Sequence, residues 1–205
     1  MDRSWDILLG EQLGSLRKTT HSPRIAVMGI GHELQGDDAA GVLIARNLES
    51  LLGPSEEYLI LCAGPAPENF CGALRRFEPD LVLMIDAAQM DEAPGTVRLI
   101  SYQDVTGVGA STHTLPLHIL ASYLTSELGC EITLLGIQPV FVEFGEISSL
   151  MRKIVPAIAQ RLALVLGGDL GNELHHGWLA MNTNAAALVP DGAKAPAAKS
   201  ELGTT

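Results

Sequence analysis

The sequence predicts an α/β fold in which helices sandwich a mainly parallel sheet of five strands, one of them antiparallel at an edge. Short apolar runs alternate with amphipathic stretches through most of the chain, as in βα units. The run at residues 81–85 is apolar at every position, which is typical of a parallel strand buried on both faces. The alternating run at 96–100 closely follows a Pro-Gly turn and indicates the antiparallel edge strand.

The elements follow in order along the chain. Residues 1–23 are predicted to be an N-terminal extension, with one weakly amphipathic stretch and a linker. An α/β domain is predicted over residues 24–167, and residues 168–205, rich in Ala, Gly, Pro, Lys and Thr, are predicted to be a disordered tail. Strands are predicted at 24–28, 58–62, 81–85, 96–100 and 132–137, and helices at 39–52, up to 76, 116–129 and 146–166.

Composition narrows the class of protein. The chain has 205 residues, 47% of them hydrophobic, and suits one domain with a substantial core. It shows no signal peptide, so we expect a cytoplasmic protein.

The net charge of −11 disfavours nucleic acid and anionic membrane as partners and leaves a basic peptide or a metal cation as the expected partner. Three cysteines without a CxxC motif argue against a disulfide framework and a zinc ribbon.

The stretch GIGHELQGDDAAG, residues 29–41, opens where the first strand ends and a helix begins. Ligand sites of open α/β sheets lie at this end of the strands. Two adjacent carboxylates, Asp37 and Asp38, would repel a phosphate at that helix N-terminus, so a nucleotide site is disfavoured. Asp37 is well placed to cap the helix. Capping explains Asp38 less well, because one cap suffices.

Two further residues share this edge of the predicted sheet. Asp86 follows the third strand directly, and His113 lies in a glycine-rich loop before a helix. Each has an ordinary interpretation, a hydrogen-bonded loop acid and a plain polar residue respectively. If Asp38, Asp86 and His113 converge on an open edge, they form a three-ligand site suited to nickel, zinc or iron. The sequence lacks HExxH and GxSxG.

Five motifs together carry a resemblance that runs from about residue 24 to 166. They are GIGHELQGDDAAGV, CAGPAPENF, LVLMIDAAQMDEAPG, STHTLPLHIL and LLGIQP. In this order they resemble the nickel-iron hydrogenase maturation endopeptidases, especially those that process formate-hydrogenlyase-type large subunits. The resemblance implies a three-layer α/β/α sandwich around a five-stranded sheet.

The resemblance also implies an activity. It implies an aspartic-type or metal-dependent peptidase that removes the C-terminal peptide of a [NiFe]-hydrogenase large-subunit precursor after nickel insertion. Asp38, Asp86 and His113 correspond to the nickel-contacting, catalytic residues, and the substrate is expected to supply the nickel. We expect a monomer. The family usually has Asn in place of His32 and often Gly in place of Ala39, so no role is transferred to His32, which could add a ligand or shift specificity.

Two alternatives remain open at this point. The first is a nickel-binding accessory protein or chaperone that recognises the metallated large subunit without cutting it. The second is an esterase or peptidase with Cys62 as nucleophile, which is disfavoured because no histidine is evidently placed to pair with it.

Overall fold

A computed structural model describes residues 3–20, 22–101 and 116–168 of the chain. The strands are β1 (Ile25–Ile30), β2 (Tyr58–Gly64), β3 (Leu81–Ala87), β4 (Val97–Ser101) and β5 (Glu131–Ile137). The α-helices are α1 (Trp5–Thr19), α2 (Ala40–Leu52), α3 (Cys71–Phe77), α4 (Leu117–Leu128) and α5 (Ser149–Gly167), and 3-10 turns span Gly36–Ala39 and Pro67–Phe70. The predicted tail from residue 169 onward, and His113, lie outside the described residues.

The strands form one sheet in the order β2-β1-β3-β5-β4. All neighbouring strands are parallel except β4, which runs antiparallel to β5 at the edge. The predicted fold class is therefore confirmed, including the antiparallel edge strand. In the register of β1 with β3, Gly29 pairs with Ile85, so the carboxyl ends of these central strands lie side by side.

Both faces of the sheet are covered by helices, because the strands alternate buried side chains between two apolar clusters. Leu83 of β3 packs in the cluster that contains residues of α1, α2 and α5. Met84, the next residue, packs in the cluster that contains residues of α3 and α4. Every residue of β3 is buried, as the apolar run predicted.

The N-terminal segment is more closely integrated than its weak amphipathic pattern indicated. In α1, Trp5, Leu9 and Leu13 are buried in the same cluster as residues of α5. Arg161 of α5 donates a hydrogen bond of 2.6 Å to the buried carboxylate of Asp6. Helix α1 is thus part of the hydrophobic core.

Most element boundaries differ from the sequence-based expectation by one or two residues, and two of the differences involve Ser148 and Asp86. The last helix begins at Ser149, and not near residue 146, because the Ser148 hydroxyl accepts the amide hydrogen of Met151 and caps it. Strand β3 runs on to Ala87 and so includes Asp86. The described helices include no candidate for a membrane-spanning segment.

Candidate active site

The acidic turn is held tightly against the ends of the central strands. It forms the 3-10 turn Gly36–Ala39, which leads directly into α2. A Cβ atom on Gly41, in the first turn of α2, would lie only 2.1 Å from the carbonyl oxygen of Ile85 and 2.4 Å from that of Ile30. Only glycine permits this approach, so Gly41 allows the turn to sit at the carboxyl ends of β1 and β3.

Asp38 is fully buried, with one carboxylate oxygen hydrogen-bonded and the other not. Oδ2 accepts the backbone N–H of His32 at 2.6 Å. Oδ1 is buried, and none of the described residues donates a hydrogen bond to it. Gly31, at φ +127°, passes so close that a Cβ atom there would overlap the Asp38 carbonyl oxygen. The loop therefore fixes Asp38 while leaving one buried acceptor unmatched, which is unusual because buried polar atoms are generally hydrogen-bonded.

Asp37 does not cap α2, and the capping prediction was wrong. The residue before α2 is Ala39, and no side chain caps this helix. The carboxylate of Asp37 instead accepts the backbone N–H of Val140 at 2.8 Å and that of Ser148 at 2.7 Å. Asp37 lies inside the 3-10 turn, and its side chain bonds the loop between β5 and α5. Asp37 thus tethers that loop to the acidic turn.

Asp86 lies near the end of β3, at the same edge of the sheet as Asp38. Its neighbour Ile85 is the residue that Gly41 approaches, so the acidic turn and Asp86 are on adjoining elements. The expectation of an open edge was wrong for both carboxylates, since Asp38 is 0% and Asp86 2% exposed. Both side chains are therefore buried at the edge that the sequence suggested would be open.

The third predicted residue cannot be placed, because His113 lies outside the described residues. Within the described ranges, no three His, Cys, Asp or Glu side chains are grouped so that they could hold a metal ion. The structure therefore brings two of the three predicted residues, Asp38 and Asp86, to one edge and leaves His113 as a prediction.

His32 orients the acidic turn. Its backbone N–H binds Asp38, and its ring Nδ1 accepts the backbone N–H of Leu34 at 3.2 Å. In this conformation the Nδ1 lone pair of His32 is used within the loop itself.

Sequence reasoning missed Gln138, which organises the loop that follows β3. This side chain is buried; its Oε1 accepts the backbone N–H of Met90 at 2.7 Å, and its Nε2 donates to the side-chain oxygen of Gln89 at 3.0 Å. The signal in the sequence was a polar residue directly after the apolar strand β5. Gln138 thereby ties the segment after Asp86 to the end of β5.

Comparison with known proteins identifies the family. Residues 42–164 match the model of the HycI hydrogenase maturation proteases. The chain belongs to this hydrogenase maturation protease family. It is a family of peptidases, so the chain is assigned to the endopeptidases that act in hydrogenase maturation.

Two similar proteins of the family align with this chain over most of their own length. The hydrogenase 3 maturation protease of Escherichia coli K12 is 33% identical over 135 residues, which are 65% of this chain and 85% of that protein. A Methanocaldococcus jannaschii protein, provisionally named a hydrogenase maturation protease, is 37% identical over 139 residues, or 65% of this chain and 82% of its own.

Solved structures of the family share the fold. The crystal structure of the [NiFe] hydrogenase maturation protease HycI from Thermococcus kodakarensis KOD1 is 35% identical, with a TM-score of 0.66, and the match covers 76% of this chain and 99% of that one. The maturation endopeptidase HybD from E. coli is 27% identical, with a TM-score of 0.60 over 71% of this chain and 94% of its own.

Within this peptidase family, the alternative nucleophile Cys62 has the wrong environment. Burial raises the pKa of its thiol, and the nearby charge of Glu49 raises that pKa further. A nucleophilic cysteine needs a lowered pKa, since the thiolate is the reactive form. Arg46 acts in the opposite direction but does not offset these effects. Among the described residues, the surroundings of Cys62 therefore disfavour its thiolate.

Proposed function

We propose that this protein removes the C-terminal peptide of a [NiFe]-hydrogenase large-subunit precursor after nickel has been inserted. Family membership supports the peptidase class and the kind of partner. The observation that carries the proposal is the state of Asp38, whose Oδ1 is buried and accepts no hydrogen bond from the described residues. An unmatched buried acceptor suits a contact with a cation or a proton donor that arrives with the substrate.

The proposed roles follow from the chemistry of the residues. Asp38, Asp86 and His113 contact the nickel that is already bound to the precursor. Two carboxylates and an imidazole without a thiolate hold nickel less tightly than cysteine ligands do, so the metal stays with the substrate. These contacts align the C-terminal segment so that one peptide bond lies beside the attacking group, which lowers the entropic part of the barrier.

Access to the two carboxylates requires a rearrangement. Asp38 and Asp86 have almost no exposed surface in this conformation, so a substrate metal cannot touch them until atoms that cover them move. The proposal therefore includes an opening step before contact. Burial also has a benefit, because charge interactions are stronger where water is excluded.

The test is incubation with a nickel-loaded precursor, followed by mass spectrometry of the large subunit. The wild-type enzyme is expected to shorten the precursor by one C-terminal peptide. Asp38→Asn and Asp86→Asn are each expected to lower the rate by more than about 100-fold, as is typical when a group that aligns or activates the reacting atoms is lost.

A matched control is Glu131→Gln, which removes an exposed carboxylate at the opposite end of the sheet, where β5 begins. This variant should cleave at the wild-type rate. A stable complex of wild-type protein with the precursor and no change in mass would identify an accessory protein or chaperone and refute the proposed function.

A further inference from the structure

Four exposed apolar side chains lie on the two segments joined to the acidic turn. Their exposed fractions are 58% for Leu34, 48% for Val140, 38% for Phe141 and 86% for Phe144. We call Leu34, Val140, Phe141 and Phe144 the apolar rim. A single exposed apolar residue is ordinary, but a group that includes two phenylalanines on adjoining segments typically marks an interaction site.

Hydrogen bonds hold the two segments of the apolar rim together. Gly145 donates its backbone N–H to the Leu34 carbonyl oxygen at 2.9 Å, and Gly36 donates to the Gly145 carbonyl oxygen at 3.1 Å. Gln35 and Gly145 form an isolated parallel bridge. The rim is therefore built on a backbone that is already ordered, and a partner would not bear the cost of ordering it.

The apolar rim is continuous with the site of Asp38. The backbone N–H of Asp37 binds the Phe141 carbonyl oxygen at 3.2 Å, and the Asp37 carboxylate binds the amides of Val140 and Ser148. The Phe141 ring lies over Gly36, where a Cβ atom would come within 2.5 Å of it. The segment that carries the rim is thus attached to the residue next to Asp38.

Charge indicates which kind of partner fits this surface. Glu143 lies between the rim residues and is exposed. Glu146 is exposed as well, and its carboxylate pairs with Arg152 at 3.1 Å. The whole chain carries a net charge of −11, so a second copy would approach this acidic margin with like charge. A partner with an apolar face and basic residues around it is complementary.

We infer that the apolar rim is the docking surface for the large-subunit precursor, which binds it through an apolar face bordered by basic residues. This inference rests on the proposed function and assigns to these residues the binding of substrate and not the chemistry. Docking beside Asp38 would bring the C-terminal segment of the precursor to the buried carboxylates. Phe144 is the expected anchor, since aromatic side chains dominate binding energy at such surfaces.

The test compares Phe144→Ser and Leu34→Ser with the control Leu51→Ser. Leu51 is similarly exposed, at 51%, but it lies at the far end of α2, roughly 16 Å along the helix from its start. With nickel-loaded precursor, each rim variant is expected to raise KM about 10-fold or more with kcat nearly unchanged. The reason is that the lost contact stabilises the bound substrate and the transition state equally. The control should match wild type, and thermal melts should coincide for all four proteins.

A second measurement separates this inference from the proposed function. Dissociation constants for the precursor are measured with the same substitutions in an Asp38→Asn background. If wild type binds the precursor without cutting it, the proposed function fails, and weaker binding by the rim variants still supports docking. Unchanged KM and Kd in both rim variants would overturn the inference, as would absence of any precursor binding. A wild-type dimer that Phe144→Ser converts to a monomer would also overturn it, by showing that a second copy covers the rim.

Discussion

Asp37 and Asp38 are adjacent in the chain, yet their carboxylates have different surroundings. Both oxygens of Asp37 accept backbone amides from the loop between β5 and α5. Asp38 uses one oxygen to accept the amide of His32 and has the other unmatched among the described residues. Asp37, whose two oxygens both accept hydrogen bonds, therefore stabilises the loop. Asp38 has one buried oxygen that a substrate group can contact after the proposed opening step.

Replacing Asp37 by Asn should therefore be more damaging to stability than the same change at Asp38. An Asn at position 37 can turn its oxygen to only one of two amide donors and must face the other with an NH2 group. We expect a loss of about 1–3 kcal/mol in the free energy of unfolding, with slower processing because the loop is released. Asp38→Asn should change stability by less than about 2 kcal/mol while losing activity.

Urea denaturation of both variants measures this difference. Glu143→Gln, in the same loop but exposed, is the control and should unfold like wild type. If Asp37→Asn proved as stable as wild type, the hydrogen bonds from Val140 and Ser148 to this carboxylate would contribute nothing to the free energy of unfolding.

At the scale of elements, the site depends on how closely α2 packs onto the strands. Gly41 touches the strand ends through backbone atoms, which cannot move aside as a flexible side chain can. Gly41→Ala should therefore displace the start of α2, destabilise the fold by about 1–3 kcal/mol or more and impair processing.

The matched control is Gly14→Ala in the middle of α1. A Cβ atom there would meet nothing within 4 Å, so the substitution should stabilise the helix by up to about 1 kcal/mol. Thermal unfolding of the two variants should show shifts of opposite sign. Equal shifts would mean that the approach of Gly41 does not constrain the site.

Helix α1 is joined to α5 by a buried ion pair. Removing one partner by Asp6→Leu leaves the buried guanidinium of Arg161 without its carboxylate, which we expect to cost about 3–5 kcal/mol. The double variant Asp6→Leu, Arg161→Leu should recover much of that loss. On the same helix, Glu11→Gln breaks only the exposed pair with Arg3 and should change stability by less than about 1 kcal/mol. Denaturant midpoints that failed to separate Asp6→Leu from Glu11→Gln would contradict this account.

The sequence predicted strands and helices well because the apolar periodicity is local, as in β3, where every residue is buried. It also predicted that Asp38 and Asp86 share one edge, since both follow parallel strands. It could not predict that Asp37 binds Val140 and Ser148, because such bonds join residues about a hundred positions apart and leave no periodic signal. The burial of both candidate carboxylates likewise depends on tertiary packing, which local sequence patterns do not record.

At the scale of the whole molecule, the acidic chain places two buried carboxylates at one sheet edge and an apolar rim beside them. Burial of Asp38 and Asp86 limits their contact with bulk water and, in our proposal, reserves them for a metal that the substrate delivers. An enzyme built in this way would distinguish nickel-loaded from nickel-free precursor by contact with the metal. Its fold and family are shared with the maturation protease HycI of T. kodakarensis.

The most direct measurement is the rate of C-terminal processing of nickel-free and nickel-loaded precursor by enzyme purified without added metal, with the metal content of that enzyme determined in parallel. We predict cleavage of the nickel-loaded precursor alone, by an enzyme that contains much less than one metal ion per chain. Equal cleavage of both precursors, or a stoichiometric, tightly bound metal in the resting enzyme, would contradict the account.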